Sequence, residues 1–87
     1  MPYIEKHRRA TIANHTLKPD SAGELNFLLT TEILDYIKEH KGETLSYALL
    51  NEVMGVLESC KSEFYRRVVA PYEETKIKKN GDVYDHV

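Results

Sequence analysis

The chain has 87 residues, 12 basic against 14 acidic, and a net charge of −2, which leaves no field strong enough to draw nucleic acid or a membrane surface. It is long enough for one small helical domain over residues 1–87. A core this small is commonly completed by oligomerisation. One cysteine, Cys60, cannot form an internal disulfide, and neither a membrane-spanning apolar run nor a secretory apolar segment is visible, so a cytoplasmic protein with no membrane contact is expected.

Residues 1–20 are the least patterned. Lys6, His7, Arg8 and Arg9 followed by Ile12 and Ala13 permit a short helix over about residues 5–15, which Asn14 and Pro19 end. The basic start reads as a solvated terminus rather than a nucleic-acid arm, with Glu5 beside it. Next, Ser21-Ala22-Gly23-Glu24 has capping-box spacing, in which Ser21 accepts from the Glu24 amide and Glu24 reaches back. Leu25, Leu28, Leu29, Ile33, Tyr36 and Ile37 then recur at helical spacing, with Glu32 at the edge. A helix over 22–40 follows, with Gly42 as its left-handed stop.

Ser46 is the expected N-cap of a long helix from Tyr47 to Val69. Pro71, which lacks an amide donor and crowds the Arg67 carbonyl, predicts a kink or a fresh start. Glu73-Glu74 suit the first turn of that segment, and Asn80-Gly81 ends it. Residues 82–87 form a tail that is ordered if Val83 or Tyr84 docks. At 100° per residue, Leu49, Leu50, Val53, Val56, Leu57, Cys60, Phe64 and Val68 share one broad stripe, expected to form a core against helix 22–40. On the other side Ala48, Gly55 and Ser62 recur every seven residues, a column of small residues expected at a homodimer contact.

Several residues invite a chemical reading. Glu63 and Arg67, four apart at the edge of the stripe, are expected as a partly buried ion pair that fixes packing, with Arg66 solvated. Tyr65 and Tyr72 suit an interface better than base stacking, which comes with a basic groove. Tyr65, Arg66, Arg67, Tyr72 and Tyr84 are thus the candidates for an anion or a protein partner. Glu32 and Asp35 resemble the first acidic pair of the all-helical nucleotide pyrophosphohydrolases. The second pair is missing, because Glu58 and Glu63 diverge by about 140°. His7, His15, His40 and His86 have no ligand spacing, and Cys60 reads as an inert core thiol. No metal or other cofactor is expected.

Gly23-Glu24-Leu25-Asn26-Phe27, Leu45-Ser46-Tyr47, Asn51 through Glu58 and above all Glu63 through Tyr84 carry a resemblance. Together they resemble a family of small proteins of prokaryotes and their phages known as a domain of unknown function. The likeness covers about residues 23–84, with the first 20 residues outside it. It implies a prokaryotic or phage origin and a stand-alone protein, and carries over no catalytic residue.

The sequence therefore predicts an all-α protein: a helical hairpin of 22–40 and 46–70, kinked near Pro71, preceded by a short helix and paired in a dimeric bundle. The function it favours is a non-enzymatic, self-associating interaction or accessory module. The alternatives are a metal-dependent nucleotide-processing enzyme using Glu32, Asp35 and Glu58, and a weak anion or nucleic-acid binder using Arg66, Arg67, Lys76 and Lys78.

Overall fold

The computed structural model describes residues 1–84, so the expectations for His86 and the end of the tail lie outside the described residues. The protein is all-α, with α1 at Lys6–Ala13, α2 at Ala22–His40, α3 at Tyr47–Phe64, a π-helical turn at Tyr65–Val69 and α4 at Ala70–Asn80. Two compact units divide between Leu50 and Asn51.

In the first unit α1 lies against α2. It ends where His15 adopts φ 64, a left-handed conformation uncommon outside glycine, with the Thr16 amide donating to Asn14 Oδ1 at 2.9 Å. Ile12 is fully buried and Leu49 nearly so. The start of α2 is held closely: a Cβ on Gly23 would come within 3.2 Å of the Met1 carbonyl oxygen. Ser21 caps α2 as expected, accepting from the Glu24 amide at 3.1 Å. Glu24 does not complete the capping box. It is buried and turns instead to Arg8 and the Asp20 amide. At its far end α2 closes with Lys41 in an extended conformation (φ −75, ψ 152), so Gly42 is not a left-handed stop.

Ser46 caps α3 as expected, accepting from the Leu49 amide at 3.1 Å. Beyond Phe64 the backbone stays helical through Pro71 to Asn80, without a fresh start. The π turn makes this possible. The Ala70 amide donates to the Tyr65 carbonyl, five residues back, a widened pattern immediately before the proline that cannot donate. Gly81, at φ 92, ends α4 where Asn80-Gly81 is expected to end it.

The expected core is the main correction. Of the eight residues placed on the α3 stripe, only Leu49 and Val53 are buried; Leu50, Val56, Leu57, Cys60, Phe64 and Val68 are exposed. Leu25, Leu29 and Tyr36 of the α2 stripe are exposed too. Helical periodicity identifies a face that gains by being covered, but does not supply the cover. Cys60 is correspondingly an exposed thiol and not a core one.

Candidate functional site

Three places in the molecule gather chemistry. The first is a clamp in the N-terminal unit. Arg8 Nε donates to Glu24 Oε2 at 2.6 Å and Arg8 Nη2 to Glu24 Oε1 at 2.7 Å, a two-point guanidinium–carboxylate match. The Asp20 amide adds a third donor to Oε1 at 2.8 Å. These donors, Arg8 first, outweigh the cost of burying the charge and hold the Glu24 carboxyl down at about 2. The same bonds push the Arg8 guanidinium up. With Arg9 Nε donating to the Ile4 carbonyl at 3.0 Å, half of the expected solvated basic start is structural. The clamp joins residues sixteen apart, so no local spacing announces it.

The second place is a groove on the C-terminal unit, lined by Tyr65, Tyr72, Glu73, Lys76, Ile77 and the turn from Asn80 to Tyr84. Its organising contact crosses the π turn: Tyr65 Oη donates to Glu73 Oε1 at 2.8 Å. Residues eight apart in an ordinary α-helix diverge by about 80°. A π turn absorbs roughly one residue of rotation and brings them to within about 20°. The carboxylate, by accepting this bond and then by its charge, raises the Tyr65 phenol above its ordinary value. Lys76 Nζ stands 5.6 Å from the centre of the Tyr72 ring, a cation–π distance. The Tyr84 amide donates to Asp82 Oδ1 at 2.8 Å, turning the chain so that Tyr84 forms part of the wall.

Of the five residues expected at a partner or anion site, Tyr65, Tyr72 and Tyr84 share this groove, and Arg66 and Arg67 do not line it. Both arginines turn back to Glu63: Arg66 Nη2 lies 2.5 Å from Oε2, and Arg67 Nη1 lies 3.6 Å from Oε1. The expectation of a partly buried Glu63–Arg67 pair is corrected, while Arg66 is solvated as expected, its side chain 69% exposed. The Glu63 and Arg67 side chains are 56% and 70% exposed, and Arg66 is the closer partner. Glu73, the groove's central acceptor, is not recognisable as such in the sequence, where it reads as a first-turn acid; the only signal is Pro71, which favours a disturbed turn before it.

The third place is α3 itself. Gly55 and Ser62 of the expected contact column are exposed, as is Ala48, and a Cβ added to Gly55 would meet nothing within 4 Å. Among the described residues no group of three or more His, Cys, Asp or Glu side chains is placed to hold a metal ion. Glu32 faces His15 Nε2 at 3.3 Å. Among the described residues no helix is long and apolar enough to cross a membrane.

The family described as Domain of unknown function (DUF6899) matches residues 1–83. The chain belongs to this family. The match takes in the first 20 residues, which the resemblance read from the sequence leaves out, and α1 with its clamp is therefore part of the family's domain. No curated protein and no solved structure matches the chain. The DUF6899 family carries no assigned activity, and membership assigns no catalytic residue to this chain.

Proposed function

We propose that this member of the DUF6899 family is a small, self-associating helical interaction or accessory protein that acts through its helix faces. The observation that carries the reading is the balance of apolar burial: among the described residues three hydrophobic ones, Ile12, Leu49 and Val53, are buried, while large apolar side chains stand exposed on every helix from α2 onward. A homodimer in the cytoplasm of a prokaryote, or of a cell infected by a phage, is the setting we favour. The Glu63–Tyr84 resemblance supports the origin, and an exposed thiol with no internal partner supports a reducing compartment.

Sedimentation equilibrium from nanomolar to tens of micromolar tests the reading. Twice the chain mass at the upper end, with a melting temperature that rises with concentration, is expected. A monomer throughout overturns it.

The tyrosine groove supports a protein partner as its occupant. Its lining mixes one cation, Lys76, with Glu73 and Asp82, a balance that disfavours a polyanion. Tyr65, Tyr72 and Tyr84 are the residues we assign to that contact, with Arg66 and Arg67 on the adjoining turns of the helix.

A further inference from the structure

We infer that the tyrosine groove takes the guanidinium of an arginine side chain from a protein partner, stacked on its rings and bonded to Glu73 or Asp82. This rests on the reading of the groove as a protein contact and names the chemistry of its occupant. The groove lies wholly within the C-terminal unit, and its volume of about 720 Å³ is ordinary for a ligand site. Three tyrosines line it, each more than half exposed: Tyr65 at 52%, Tyr72 at 61% and Tyr84 at 76%. An aromatic ring presents a negative face, so these walls favour a cation over an anion. One cation of this chain already uses them, since Lys76 Nζ stands 5.6 Å from the centre of the Tyr72 ring.

Charge complementarity selects the occupant. Glu73 and Asp82 bring two negative charges to the lining and Lys76 one positive, and a single monovalent cation neutralises the remainder. Both carboxylates have the capacity to receive it. Of about four acceptor sites on each, Tyr65 Oη takes one on Glu73 and the Tyr84 amide one on Asp82. The π turn brings Tyr65 to Glu73, so a ring and a carboxylate are presented together before any partner arrives. The openness of the groove then favours arginine over lysine. A guanidinium is planar and weakly hydrated, so it can lie on an exposed ring while its edge donates two bonds to a carboxylate. An ammonium is strongly hydrated and gains less at so open a site. A phosphorylated or acidic ligand meets the same two carboxylates and is repelled.

The experiment titrates end-blocked Gly-Arg-Gly, Gly-Lys-Gly and Gly-Leu-Gly, and inorganic phosphate, into the isotopically labelled full chain, following its amide and tyrosine ring resonances. Gly-Arg-Gly is expected to shift Tyr65, Tyr72 and the turn from Gly81 to Tyr84, saturating in the millimolar range. It should bind about threefold or more tighter than Gly-Lys-Gly, while Gly-Leu-Gly and phosphate leave these resonances in place. Glu73→Gln, which removes the charge and keeps an acceptor, should weaken the arginine peptide about fivefold, and Tyr72→Leu about threefold. Glu52→Gln, which removes an acid outside the groove, should change nothing. All three substituted positions are exposed, so the variants should keep the helical circular dichroism of the unaltered chain. A lysine or leucine peptide that binds the groove as tightly as the arginine peptide overturns the guanidinium. So does an arginine response that Glu73→Gln and Tyr72→Leu leave unchanged, or no response to any probe, and each of these leaves the groove's reading as a protein contact standing. Phosphate shifting the groove where no peptide does overturns both.

Discussion

The two units hold their helices by different means. In the first, α1 is fixed to the start of α2 by interactions no isolated helix has: a fully buried Ile12 and the charged clamp of Arg8, Glu24 and the Asp20 amide. In the second, from Asn51 onward, Val53 is the one buried hydrophobic residue among those described, and the contacts present join residues of one helical run: Glu63 to Arg66 and Arg67, Tyr65 to Glu73, Lys76 to Tyr72. Pairs of this kind add only a few tenths of a kcal/mol each to an exposed helix. Amphipathic helices in proteins owe most of their stability to tertiary packing. The first unit therefore contains its own specificity, and the second presents surfaces that gain from a partner.

The largest test of this contrast is a pair of matched truncations. Ile12→Ala removes a fully buried side chain and is expected to cost about 2–5 kcal/mol. Ile77→Ala, at a site 38% exposed in α4, is expected to cost less than about 1 kcal/mol. Urea midpoints measured on the two variants check it, and equal losses would mean that the second unit has a core of its own.

Acid gives the next largest effect. Glu24 is held at about 2 against an ordinary 4.5, so the folded state favours the ionised form. The stability this contributes is fully present above pH about 4.5 and drains away as the pH falls toward 2. Urea midpoints of the unaltered chain should fall across that window. Glu24→Gln should start lower and show a shallower fall, because the group that takes up the proton is gone. Identical slopes in the two proteins would sink the assignment.

The same contrast explains what could be read in advance. The limits of α2, the Ser21 and Ser46 caps and the Asn80-Gly81 stop all match expectation, because each depends on a few neighbouring residues and known backbone chemistry. Glu24 misleads because its local role in a capping box and its tertiary role in the clamp compete for one carboxylate, and a half-buried guanidinium that donates two bonds is the stronger partner. The α3 stripe misleads differently. Its angles are right, yet Leu57, Cys60 and Phe64 are open, since angle specifies a face and says nothing of its neighbour. In the groove, Tyr65 and Tyr72 are candidates from sequence, but their geometry depends on a π turn that helical spacing does not predict.

Pro71 tests whether that turn is a response to the proline. In an ordinary helix interior a proline costs about 3 kcal/mol or more. Here the widened turn comes just before it, so Pro71→Ala should stabilise the helix by clearly less than about 3 kcal/mol. Restoring the amide donor also lets the turn close to ordinary α geometry, rotating α4 by about 100° relative to α3. Amide chemical shifts over residues 65–70 follow the change directly. An unchanged pattern would show that the π turn has another cause.

The smallest effect falls on the Tyr65 phenol, and it isolates the register of the helix from its stability. Because the Glu73 carboxylate accepts the Tyr65 hydrogen bond, the phenol is raised above its ordinary 10.0. The neutral phenol is the favoured form, so the contribution is present below pH about 10 and is lost as the pH rises through the shifted value. Glu73→Gln keeps an acceptor and removes the charge, which should move one component of the six-tyrosine titration to lower pH. Tyr65→Phe should delete that component. Pro71→Ala should move it as Glu73→Gln does, with Glu73 intact, because an α-helical register places the two side chains about 80° apart. If Pro71→Ala leaves the component in place, the pairing does not depend on the extra residue in the turn, and the groove owes its shape to its side chains alone.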